Sequence, residues 1–147
     1  LPERVYLPRT DRKDPADANR GRNMNISRLF LVIAVAYLLV GIAIGIHMGA
    51  SGDHGLAPAH AHINLLGFTL MTLFGLVYRV IPVMAEGMLA KAHFWLHQVG
   101  ALVLLVMLLL LLSGRIGEPA MVPLAPIAEF AIWIGIACFG VNVLKNA

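Results

Sequence analysis

The chain has 147 residues, 59% of them hydrophobic and 13% charged, with a net charge of +3. Soluble domains carry about 25% charged residues on average, and 147 residues suit one domain, so an aqueous globule is excluded. Ten of the nineteen charged residues (eleven basic, eight acidic) fall within residues 1–23. The basic balance therefore describes a short arm and gives nucleic-acid binding no support.

That arm is poor in apolar residues, contains Pro2, Pro8 and Pro15, and has no helical period, so it is expected to be disordered. Met24 opens the stretch MNISRLFLVIAV, which reads as a start of translation; residues 1–23 are expected to be an upstream extension, with the transmembrane domain at 24–147. The apolar stretch that follows is too long for a signal peptide. Crossing a hydrocarbon core takes about 20 mainly apolar residues at about 1.5 Å each. Four segments qualify: Leu29–Met48, His60–Val83, His93–Ser113 and Val122–Leu144. Gly and Pro mark the breaks between them, and apolarity on all faces predicts an all-α, integral membrane four-helix bundle.

Span one carries Gly41, Gly45 and Gly49 at the spacing that lets helices approach closely, within the chain or between copies. His47 and Met48 close it, and His54 follows on a Gly-rich loop beside Asp53. Span two opens on His60 and His62. Its residues His60, Asn64, Gly67, Met71, Gly75 and Tyr78 line one side of a helix; His62, Leu66, Thr69 and Leu73 line the other. His93 and His97, four apart in span three, share a face. They suit Zn, Cu or a second haem, but Lys91, Trp95 and Gln98 nearby favour an ordinary interfacial belt. Val103–Leu112 is expected to face lipid. Glu129, in span four at a depth similar to His62, could move protons, complete a metal site or be a structural acid. Cys138 is the single cysteine, so no disulfide forms within the chain. Arg20, Arg22, Arg28, Arg79, Lys91 and Lys145 gather at one end of the spans, which predicts that both termini are cytoplasmic.

Residues two apart on a helix point about 200° around its axis from one another. His60 and His62 therefore suit two sites on opposite sides of the span better than one small ion, and haem takes axial imidazoles in this way. An ionisable residue within a span is costly and defaults to a functional role.

The stretch HAHINLLGFTLMTLFGLVYRVIP resembles the histidine-bearing late helix of subunit I in the haem-copper oxidase superfamily, nearest its nitric oxide reductase branch. The resemblance rests on H-x-H, a glycine five residues on, and an aromatic and a proline closing the span. It implies haem b, with His60 similar to the ligand of a high-spin active-site haem and His62 similar to that of a low-spin electron-transfer haem. The resemblance covers about 23 residues. Its family has about twelve spans and further metal-binding histidines, including a neighbouring pair that this chain lacks, so no complete dinuclear site is assigned.

A bis-histidine haem would need a second helix, carrying His47 of the same chain or a histidine of another copy. Three copies of four spans would restore twelve, which makes a homotrimer the expected assembly. The reading is thus a haem protein of a bacterial-type inner membrane, for electron transfer with a respiratory donor or for binding O2 or NO. Two alternatives stand beside it: a copper- or zinc-handling protein using His47, Met48, His54 and His60, and a structural subunit of a respiratory complex.

Overall fold

A computed structural model describes residues 25–147, and the arm expected at 1–23 lies outside the described residues. Among the described residues, four helices are long and apolar enough to cross a membrane: α1 (Ile26–Ser51), α2 (Ala57–Val80), α3 (Met88–Leu112) and α4 (Leu124–Asn146). There is no strand among the described residues. The chain is an all-α, multi-pass transmembrane four-helix bundle, as the spacing of apolar runs and breakers predicts.

Local chemistry sets the helix ends. The Asn25 side chain accepts from the Arg28 N–H at 3.0 Å and caps α1. Gly52, at φ 72°, closes that helix by donating to the Met48 carbonyl. Pro58 sits in the first turn of α2, where its missing N–H costs nothing. Pro82 stops α2 two residues after Val80, and a short 3-10 turn, Pro82–Ala85, leads towards α3. At the end of α3, Gly114 (φ 70°) donates to the Leu111 carbonyl and Arg115 to the Leu110 carbonyl. Both bonds satisfy carbonyls that the helix end would otherwise orphan.

The bundle is two hairpins. α1 packs along α2 and α3 along α4, while α3 and the 3-10 turn join the pairs. Ser27 Oγ donates to the Gly75 carbonyl at 2.9 Å, and the Tyr37 ring lies against Gly67, where any Cβ would overlap it. In the second hairpin Gly100 admits the backbone of α4 at Ala128, and Gly135 admits that of α3 at His93 and His97. The Asn142 amide donates to the Met84 carbonyl at 2.8 Å, tying α4 to the 3-10 turn.

Gly41 and Gly45 face Asn64 and His60 of α2, whereas Gly49 meets nothing. The glycine spacing of α1 therefore serves close approach within the chain over its first two members. The expectation that Val103–Leu112 faces lipid needs correction: Leu105 is buried and most of the run is half-buried. Its partner is α4, which follows α3 closely.

α2 is not a uniform α-helix. Residues Ile63–Thr69 form a π-helical segment, ending where the Leu70 N–H reaches back five residues to the Leu65 carbonyl. Such segments are rare and often mark functional sites. This one begins immediately after His62 and contains Leu66, whose carbonyl recurs below.

Candidate functional site

The six histidines separate into a group around the connection from α1 to α2 (His47, His54, His60, His62) and a pair near the start of α3 (His93, His97), as their sequence positions suggest. Their environments differ sharply within each group.

His60 is half-buried in the seam between α1 and α2. Its Nδ1–H donates to the Gly41 carbonyl at 2.9 Å, which leaves Nε2 to accept from the Asn64 amide at 3.1 Å. Both ring nitrogens are thus engaged by the protein, and Gly45 leaves the ring its room. His62 is exposed on the opposite side of the helix. Its Nδ1–H donates to the Pro58 carbonyl one turn earlier, at 2.8 Å. The ring is therefore held in one tautomer, with the Nε2 lone pair directed away from its own helix. Ligand histidines are commonly anchored in this way, one N–H on a backbone carbonyl and the other nitrogen free.

The two sides of α2 fall as the sequence predicts. Gly67, Met71, Gly75 and Tyr78 are buried and Asn64 is half-buried, while Thr69 and Leu73 are exposed and Leu66 half-buried. Leu65 and Leu73 are about half exposed on the outward surface, at 54% and 52%. With His62 they make an apolar wall carrying one imidazole.

His47 is exposed near the C-terminal end of α1; the described hydrogen bonds link its ring to neither His60 nor His62. His54 bonds to its own loop, Nδ1 lying 3.0 Å from the Gly52 carbonyl. Met48 is buried. Among the described residues, no three His, Cys, Asp or Glu side chains gather as a metal-binding group, so His47, His54 and His60 do not form one within the chain. Glu129 is exposed on α4, not a buried structural acid.

His93 and His97 correct the expectation of an interfacial belt: both are 0% exposed. The side of α3 that carries Ala90, Phe94, Gly100 and Ala101 turns them into the bundle, and Lys91 and Trp95 take the outside. The His93 ring lies 4.4 Å from that of Phe74, 5.1 Å from Phe139 and 5.2 Å from Phe30, centre to centre. His93 Nδ1 is 2.9 Å from the Tyr78 hydroxyl, and His97 Nε2 donates to the Leu66 carbonyl at 3.2 Å. His93 Nε2 and His97 Nδ1 are buried without a partner. Tyr78 and the Leu66 carbonyl are the parts of this cluster that sequence reasoning missed. Tyr78 stood on the correct side of α2, but nothing local said that α3 lay opposite.

No protein family, curated protein or solved structure matches the chain.

Proposed function

We propose that this chain is a membrane haem b-binding protein related to the haem-copper oxidases, working in electron transfer or in binding a diatomic gas such as O2 or NO. The observation that carries the reading is His62: an imidazole anchored through Nδ1 on the Pro58 carbonyl and offering Nε2 beside exposed leucines. That donor and that wall suit the face of an apolar macrocycle. Bound haem would supply a one-electron iron couple and, with one axial position open, a place for gas. His60, which the family resemblance makes similar to the ligand of an active-site haem, has both ring nitrogens bonded within the α1–α2 seam. It would become a second ligand only if Asn64 released Nε2.

The reading extends to an assembly of several copies, a homotrimer by the count of spans. His62 and Glu129 each stand five residues into their helices, about 7.5 Å below the outer ends, and His47 stands about 6 Å below. All three are exposed. Polar groups on the outside of spans call for partners, and a neighbouring copy would bring acid and imidazole together at matching depth. The chain would then sit in a bacterial-type inner membrane with a respiratory electron donor. The copper- or zinc-handling alternative has less support, because its three histidines do not gather as a metal-binding group within the described chain.

The visible spectrum of the purified, reduced protein, taken with native mass spectrometry, tests the proposal. A b-type spectrum on a trimeric mass is expected, and CO would shift it if an axial position is open. A folded but colourless protein would end the haem reading, and a haem-loaded monomer would end the trimer. Orientation has its own measurement. With Cys138 replaced by Ser, cysteines placed at Ala50 and Ala120 are expected to react with an impermeant reagent from outside. Reaction of both from the cytoplasm alone would invert the topology.

A further inference from the structure

His93 and His97 share a pattern that packing does not explain. Each is fully buried, each has one ring nitrogen engaged by α2, and each leaves the other buried and unpartnered. Nearly all buried polar atoms are satisfied, so two exceptions on neighbouring rings point to something held between them.

The tautomers can be worked out. The Leu66 carbonyl can only accept, so His97 carries its proton on Nε2 and a lone pair on Nδ1. A hydroxyl both donates and accepts, so His93 can place Nδ1–H on the Tyr78 oxygen and present a lone pair at Nε2. Two imidazoles, each anchored through one N–H and each offering the other nitrogen, form the arrangement of metal-ligating histidines. Spacing agrees. A ring nitrogen lies about 1 Å from the ring centre and a metal about 2 Å beyond, so two imidazoles sharing an ion in line stand about 6 Å apart. The His93 and His97 ring centres are 5.9 Å apart.

We propose that His93 Nε2 and His97 Nδ1 form a two-coordinate site for Cu(I) inside the bundle. The number of donors selects the ion. No third His, Cys, Asp or Glu joins the pair among the described residues. Zinc takes four ligands, and Cu(II) prefers a square set of nitrogen and oxygen donors. Cu(I) is satisfied by two neutral nitrogens. It also brings a single charge into a lining of Phe30, Phe74 and Phe139, which offers no counter-ion but can attract a cation by ring π density. The site is distinct from His62 and stands whether or not that residue holds haem. The competing occupant of the same lone pairs is a single bridging water.

The test uses the whole protein, produced in cells supplied with copper and purified anaerobically under reducing conditions. Copper per chain is measured, Cu(I) is competed away with bathocuproine disulfonate, and X-ray absorption reports the ligand shell. One Cu(I) per chain with a two-coordinate, nitrogen-only shell is expected. Combining His93→Ala with His97→Ala should weaken binding by on the order of 100-fold or more, whereas combining His47→Ala with His54→Ala should leave it unchanged. The first pair empties part of the core, so Tyr78→Phe provides the conservative variant. It keeps both rings and the packing but loses the anchor, and about tenfold weaker binding is expected with helix content unchanged. Copper-free wild-type protein, copper retained by the His93 and His97 double variant, or an unchanged affinity in Tyr78→Phe would each overturn the site.

Discussion

Replacing His62 with Ala is expected to lower haem affinity by on the order of 100-fold or more while leaving the bundle intact. Losing a mere second-sphere partner of a ligand already costs about 10- to 100-fold, and here the donor nitrogen itself would go. The folded chain has little to lose at this position. His62 is exposed, and its described hydrogen bond is to Pro58 of its own helix. A surface change of that kind shifts stability by about 0.5 kcal/mol or less. His60→Ala makes the contrasting variant. It deletes the ring bridging Gly41 and Asn64 and leaves their polar atoms unpaired in the α1–α2 seam, at a cost of about 1–3 kcal/mol. Pyridine haemochrome content and thermal unfolding of both variants give the comparison. If His62→Ala keeps its haem and His60→Ala loses it without loss of stability, the ligand has been assigned to the wrong side of α2.

Phe30→Ala is expected to be the most destabilising single truncation, by about 3–5 kcal/mol as for other buried phenylalanines. Phe30 is 0% exposed and projects from α1 into the space between α2 and α3. Its ring centre lies 5.0 Å from that of Phe94, 5.8 Å from Phe74, 5.9 Å from Tyr78 and 5.2 Å from His93. The side chain thus belongs to both hairpins. Lipid cannot fill the void it would leave, because the surrounding residues close it off. Val32, 58% exposed on the outside of the same helix, is the control, and Val32→Ala should move stability by about 0.5 kcal/mol or less. Loss of helical circular dichroism on heating in detergent measures both. Similar midpoints for the two variants would show that the aromatic cluster contributes little to the join between hairpins.

The helices were readable in the sequence because a membrane span is a composition: long apolar runs, with Gly and Pro between them, leave few alternatives. The two sides of α2 were readable for a related reason. Its stripe of glycines, Asn64 and Tyr78 can pack only towards protein. The burial of His93 and His97 is not legible in the sequence, because their surroundings, with Lys91 and Trp95, look alike in a belt and in a core until the neighbouring helix is placed. A clue was present in Ala90, Gly100 and Ala101, small residues that repeat along the histidine side of α3 and mark a face meant for close approach. The π segment of α2 left no such trace. An extra residue in a turn depends on how the helix is wedged between its neighbours, and here Tyr37 against Gly67 and the His97 contact to Leu66 supply that context.

The pairing of helices into successive hairpins bears on how the chain is made. Chains are synthesised from the N-terminus and early elements fold first, so α1 and α2 can close their seam before α3 enters the bilayer. α3 then arrives with two imidazoles that hydrocarbon cannot satisfy. The Leu66 carbonyl and the Tyr78 hydroxyl belong to the hairpin already in place, so the groups that receive His97 and His93 are waiting when they come. α4 arrives last, with Gly135 shaped to the back of α3 and Asn142 to the Met84 carbonyl. In this order of birth no polar side chain of α3 or α4 that ends up buried and hydrogen-bonded to another helix depends on a segment still to be synthesised.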